Sequence, residues 1–195
     1  MAIYKPEIKE GSSNGFLGPI EVGIVGFTDR SSEFDWSDIF IEIELSVKNS
    51  EFTNRMSILG TLDKDAAGQI TGGSVLKRMY KLFDAIGCSA GITLDSKWED
   101  ENNNEIKDIA TFLNEKFTTS KEEYIAYAYK KKPKPGKKVY TEIYPRLYPN
   151  TDSGKNQCIS DVDWLKSKGV IKEADANDMP QKSDTPLADS ALSNL

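Results

Sequence analysis

Between Ile39 and Val47 the chain reads IFIEIELSV, nine residues in which apolar and polar side chains take turns. Ile39, Ile41, Ile43, Leu45 and Val47 fall on one side, and Phe40, Glu42, Glu44 and Ser46 on the other. A period of two predicts a strand with one face in a core and one in water. Such a strand needs neighbours to pair with and an apolar layer to cover it.

The neighbours supply both. Ile20 to Phe27, IEVGIVGF, reads as a strand, and Gly23 and Gly26 within it predict a bend or bulge. The polar turn DRSSEFDWSD, with Phe34 and Trp36, separates it from the alternating segment. After KNSEFTN, a third strand covers Arg55 to Leu62, and the three should pair as an antiparallel meander. The period then changes. DKDAAGQITGG reads as loop, and SVLKRMYKLFDAIG as a helix with Leu76, Met79, Phe83 and Ile86 on one stripe, Ser74 as N-cap and Gly87 as C-cap. The polar insertion SKWEDENNNE precedes a second short helix, EIKDIATFLNEKF, and Asn102 to Glu105 read as exposed loop.

Next comes YIAYAYKKKPKPGKKVYTEIYPRLY, Tyr124 to Tyr148, which predicts strands four and five joined by a turn at Pro135-Gly136. CISDVDWLKSKGV then forms a short helix carrying Trp164. Glu173 to Leu195 contains five acids, one lysine, two prolines and no aromatic residue, a composition that reads as a disordered tail behind a domain spanning residues 1–172. Three strands, a helix and two strands is the order of an OB-fold. The expected class is therefore mainly β: a five-stranded Greek-key barrel with a helix between strands three and four and a disordered acidic C-terminal tail. A helix-bearing β-sandwich is the alternative.

Several chemistries are disfavoured. There is no histidine, which removes Ser-His and Cys-His nucleophiles and histidine-ligated metals. Cys88 and Cys158 belong to no CxxC pair and read as free buried thiols. Gly72-Gly73 lacks the lysine and Ser/Thr of a phosphate-binding loop and reads as a hinge. Asp161 with Asp163, and Glu42 with Glu44, read as solvated acids rather than metal or acid–base pairs. No enzyme activity, metal or cofactor is expected. No run of 18 apolar residues is present, and the N-terminus lacks the apolar core of a secretory signal, so the expected compartment is the cytoplasm.

The tyrosine stretch carries the functional signal. It holds six of the chain's eight tyrosines and seven cations, Lys130, Lys131, Lys132, Lys134, Lys137, Lys138 and Arg146, against Glu142 alone. Its charge is +6 in a chain of −6, which leaves −12 elsewhere. Lysines can track the phosphates of a single-stranded nucleic acid while rings stack on its bases. Tyr140 and Tyr144, with Tyr127, Tyr129, Trp36 and Phe40, are the candidate stacking residues. A solvated hairpin whose tyrosines pack on cross-strand neighbours is the plainer reading. In an OB barrel, however, the connection between strands four and five borders the nucleic-acid groove, and that is where the lysines stand.

With this element order, the opening GIVGF (Gly23 to Phe27), the helix KRMYKLFDAIG, FLNEKF before the tyrosine strand, and the acidic tail, the chain resembles the bacteriophage OB-fold single-stranded DNA-binding proteins. The resemblance implies a non-enzymatic protein that coats and protects single-stranded DNA in phage replication and recombination, in the host cytoplasm. It also implies an acidic tail, here including Asp184, Asp189 and Leu195, that meets replication or recombination proteins or competes for the cationic groove. Many members end in an aromatic residue, whereas this chain ends in Ser193-Asn194-Leu195. A homodimer is left open. The rival function is a structural or virion protein whose tyrosines anchor protein–protein contacts, and a small nuclease is the third.

Overall fold

The alternating segment forms strand β2 (Ile39–Val47), and its burial alternates residue by residue, with Ile41, Ile43 and Leu45 fully buried. The computed structural model describes residues 17–51, 53–119, 121–135, 137–175 and 178. β2 pairs antiparallel with β1 (Gly18–Asp29) on one side and with β3 (Thr53–Gly60) on the other, giving the expected meander. The register of β1 shifts between Ile24 and Gly26, so the bulge expected from the glycines is present.

Strands β9 (Tyr124–Lys131) and β10 (Tyr140–Pro149) form the tyrosine hairpin. β9 pairs with the first half of β1, which gives one five-stranded antiparallel sheet in the order β10-β9-β1-β2-β3. Helices α1 (Ser74–Ile86) and α2 (Ile109–Phe117) cover the inner face. Val75, Met79, Leu82 and Phe83 of α1 and Ile109 and Leu113 of α2 join Val22, Ile43, Ala126 and Ile143 of the sheet in the main core. Gly87 ends α1 in the left-handed conformation (φ 70°) that glycine adopts without strain, and its N–H bonds the Phe83 carbonyl. Gly73, not Ser74, is the N-cap, with no side-chain cap bond; Ser74 is the first helical residue.

The sheet does not close into a barrel. β3 and β10 are its edges; they approach each other, and α1 contacts both, but no ladder joins them. Two features hold the seam open. Arg78 of α1 donates Nη2–H to the Leu59 carbonyl at 2.6 Å, taking an acceptor on β3 that a closing strand would need. Pro145 has no N–H to give a ladder, and the β9–β10 register breaks between Tyr144 and Tyr148, around this proline.

Two segments read as loop carry short strands. β4 (Asp63–Lys64) and β5 (Ile70–Gly72) form a small hairpin. β6 (Ala90–Ile92), just before the polar insertion, pairs with β7 (Trp98–Asp100) inside it, and β8 (Glu105–Ile106) at its end completes a three-stranded sheet. Glu105 and Ile106 are consequently strand, and α2 begins later than expected, capped by the Asp108 carboxylate on the Thr111 N–H at 3.0 Å.

The last helix, α3 (Asp152–Ser167), is longer than the sequence pattern suggested. Thr151 caps it by accepting from the Gly154 N–H at 3.1 Å. A Cβ at Gly154 would collide with the Pro149 carbonyl, so glycine lets the first turn sit directly on the end of β10. α3 thereby lies over the outer face of the hairpin, where Cys158, Val162 and Leu165 meet Ile125, Tyr129 and Tyr148. The chain does not leave the domain at Glu173. Ala174 N–H donates to the Lys130 carbonyl and Lys132 N–H to the Lys172 carbonyl, both at 2.8 Å, which extends the sheet beside β9. Among the described residues no helix is long and apolar enough to cross a membrane.

Candidate functional site

The tip of the hairpin is positioned by the β9–β10 register, which sets Tyr140 opposite Lys131 and Glu142 opposite Tyr129. Lys137 N–H bonds the Lys134 carbonyl at 2.9 Å and closes the turn around Pro135. Lys134, Lys137 and Lys138 are exposed. Among the described residues, Lys130, Lys134, Lys137 and Lys138 have no carboxylate within ion-pair distance. Lys131 pairs with Glu142 at 2.7 Å, and that hydrogen bond raises its pKa. Lys132 reaches Asp175 at 3.3 Å and Asp178 at 3.5 Å, and the Asp175 hydrogen bond does the same for it. Arg146 is tied to Asp161 and lies 4.7 Å over the Tyr148 ring.

Beside the tip opens a cleft of about 580 Å³. Its cations are Arg78, Lys131, Lys132, Lys134 and Lys172, and its one carboxylate is Glu142. Tyr129 and Tyr144 line it with Pro133, Pro135, Pro145 and Val170. Burial raises the pKa of Tyr144, and burial together with Glu142 raises that of Tyr129, so neither phenol adds negative charge. Five cations against one carboxylate along apolar walls suit a polyanion with flat apolar groups.

The tyrosines divide. Alternation sends Tyr124, Ala126 and Ala128 into the main core, and Ile125, Tyr127 and Tyr129 beneath α3. Tyr148 is 2 % exposed and its hydroxyl donates to Asp161 at 3.0 Å. Tyr129 is 6 % exposed and donates to Glu142 at 3.2 Å, so its ring is not an open stacking surface. The Tyr127 hydroxyl donates to Glu173 at 3.2 Å and accepts from Lys166 at 2.9 Å, which ties the half-buried ring to α3 and to the start of the acidic segment. Tyr144 is half-buried, packed on the α3 side and facing the cleft. Tyr140, at 54 % exposure, is the open ring at the tip.

Trp36 and Phe40 lie apart from the tip, in a cluster at the β1–β2 connection. Phe34 stacks on Phe40 with centroids 5.0 Å apart, and Trp36, 57 % exposed, leans on Phe34 at 5.3 Å. Arg30 lies 5.9 Å over Phe34 and 5.8 Å over Phe40, anchored by Glu33 at 2.7 Å and Glu42 at 3.3 Å. Phe40 stands opposite Leu59, whose carbonyl holds Arg78. The β3 edge thus connects the ring cluster to the lysine cleft.

Sequence reasoning missed Arg78, Lys172, Phe34 and Arg30. Arg78 had a signal: it sits among the buried positions Val75, Leu76, Met79 and Leu82 of α1, where a cation at the rim of an apolar stripe asks for a partner. Lys172 carries no such signal, since in sequence it is only the residue before the acidic segment. Asp184, Asp189 and Leu195 lie outside the described residues. Among the described residues no group of three or more Cys, Asp and Glu could hold a metal ion. No protein-family model matches the chain, and neither a curated protein nor a solved structure matches it.

Proposed function

We propose that this protein binds single-stranded DNA without reading its sequence, as a non-enzymatic coating protein of phage DNA replication or recombination. The observation that carries this is the cleft beside the hairpin tip, where Arg78, Lys131, Lys132, Lys134 and Lys172 face one carboxylate next to Tyr144. Lysine–phosphate contacts release counterions and supply salt-dependent affinity, while Tyr140, Tyr144 and the exposed Trp36 offer faces to unpaired bases.

The strand order supports an OB-type frame. A five-stranded OB barrel cut between its third and fifth strands gives the sheet order β10-β9-β1-β2-β3, and OB-folds are often partly open. In that frame the β9–β10 connection and the β1–β2 connection border the binding face, and here they carry the lysines and the ring cluster respectively. The acidic C-terminal segment competes with DNA for the same cations, since Asp175 and Asp178 already occupy Lys132.

Fluorescence anisotropy with labelled single-stranded DNA, the same sequence as duplex, and single-stranded RNA tests the proposal. Tight binding of single-stranded DNA of unrelated sequences, weakened by salt, is expected. A preference for duplex, or no binding at low salt, would overturn it.

A further inference from the structure

We propose that Arg78 is a phosphate-contacting residue, placed where a single strand leaves the lysine cleft and crosses the seam between β3 and β10 towards the Phe34, Trp36 and Phe40 rings. This rests on the nucleic-acid reading above and adds to it a helix residue and a path.

Arg78 differs from the other fixed cations of the region. Lys131, Lys132 and Arg146 each have a carboxylate, whereas among the described residues Arg78 has none within ion-pair distance. Among the described residues its hydrogen bond runs from Nη2 to the Leu59 carbonyl at 2.6 Å, and its Nε is buried with no partner. Buried donors without an acceptor are rare, so this guanidinium is under-satisfied, and its charge at the wall of a cationic cleft suits an oxyanion. The planar fork suits this, because Nη2 can stay on the carbonyl while Nη1, on the far side of the fork, meets a phosphate oxygen. A side chain already held by Leu59 also loses little freedom when it binds.

The position defines the path. On one side Arg78 shares the cleft with Tyr144 and the lysines. On the other, its carbonyl partner Leu59 is one ladder step, about 5 Å, from Phe40. A strand whose phosphates leave Lys131 and Lys134 and pass Arg78 would bring its next bases over the ring cluster.

The test uses full-length protein, a labelled oligothymidylate and a salt series, comparing wild type with Arg78→Gln and Arg78→Lys. Arg78→Gln should bind about tenfold more weakly at low salt, with a salt slope shallower by about 0.7 and a near-wild-type melting temperature. Arg78→Lys keeps the charge and loses the fork, so it should keep the slope and still bind several-fold more weakly. Wild-type affinity and slope in Arg78→Gln, or wild-type affinity in Arg78→Lys, would overturn the assignment. So would losses that only track melting temperature and leave both slopes unchanged. Should Arg78→Gln not fold, Arg78→Lys decides. A variant with the tip lysines replaced, run alongside, separates the two levels. If it loses binding while both Arg78 variants keep it, Arg78 alone is misassigned; if wild type binds no oligonucleotide, both fall.

Discussion

The base and the tip of the β9–β10 hairpin both carry tyrosine, and their rings are in opposite states. At the base, Ile125, Tyr127, Tyr129 and Tyr148 lie under α3, with hydroxyls tied to Glu173, Glu142 and Asp161. At the tip, Tyr140 is open and Lys134, Lys137 and Lys138 extend without ion-pair partners among the described residues. The difference is made by α3, which reaches the base because Gly154 lets it sit on Pro149 and which ends before the tip. Tyrosine density alone does not reveal a binding surface; what covers each ring decides its role.

Substitutions on the two sides should therefore separate stability from binding. The largest effect is expected from Tyr148→Ala, which empties a fully packed site and should cost about 3–5 kcal/mol of unfolding free energy, read by chemical denaturation. A loss below about 1 kcal/mol would mean that α3 does not hold the base.

Alkaline pH should act on the same region. Burial pushes the Cys158 thiol from its ordinary 9.0 up to about 11, and raises the Tyr129 and Tyr148 phenols as well. The folded state thus binds these protons more tightly than the unfolded state. Their stabilising contribution is fully present below pH 9 and is lost as pH rises towards 11 and beyond. Melting temperature should be flat to pH 9 and then fall, with Cys158 becoming reactive to thiol reagents in step. Reaction of Cys158 at pH 8 without unfolding would show that the α3 contact is loose.

At the tip, Tyr140→Ala should lose about 1–3 kcal/mol of oligonucleotide binding while changing stability by less than about 0.5 kcal/mol. The reverse result would exchange the roles of base and tip. The smallest effect is expected from removing the acidic C-terminal segment after Ala174, which frees Lys132 from Asp175 and Asp178 and leaves the Glu173 and Ala174 contacts in place. Binding should tighten a few-fold at low salt and be unchanged at high salt, where exposed pairs are screened. Equal affinity at low salt would leave the segment no competing role.

Much of the sheet was legible in the sequence because period-two patterning is local. Ile39–Val47 shows its core face residue by residue, and Gly23 with Gly26 announces the bulge. The open seam was harder to see, although Pro145 signals an edge strand that cannot complete a ladder. The short strands β4 to β8 were hidden because segments of two or three residues carry no periodicity. Within the candidate site, the lysines were visible as a run, whereas the burial of Tyr127 and Tyr129 was not. That burial depends on a helix more than twenty residues further along the chain, with no local mark on the tyrosines themselves. Arg78 was marked locally by its place at the rim of the apolar stripe, but its position in the cleft comes from α1 crossing the seam.

The most direct measurement is a titration of labelled oligothymidylate with wild type and with Lys131, Lys132, Lys134, Lys137 and Lys138 all replaced by alanine, over a series of salt concentrations. Wild type should show log affinity falling linearly with log salt. The variant should bind more weakly, with a slope shallower by about 0.7 for each phosphate contact removed. Equal affinity and slope in the two proteins, or no binding by wild type at low salt, would contradict the assignment of the hairpin tip as the phosphate track.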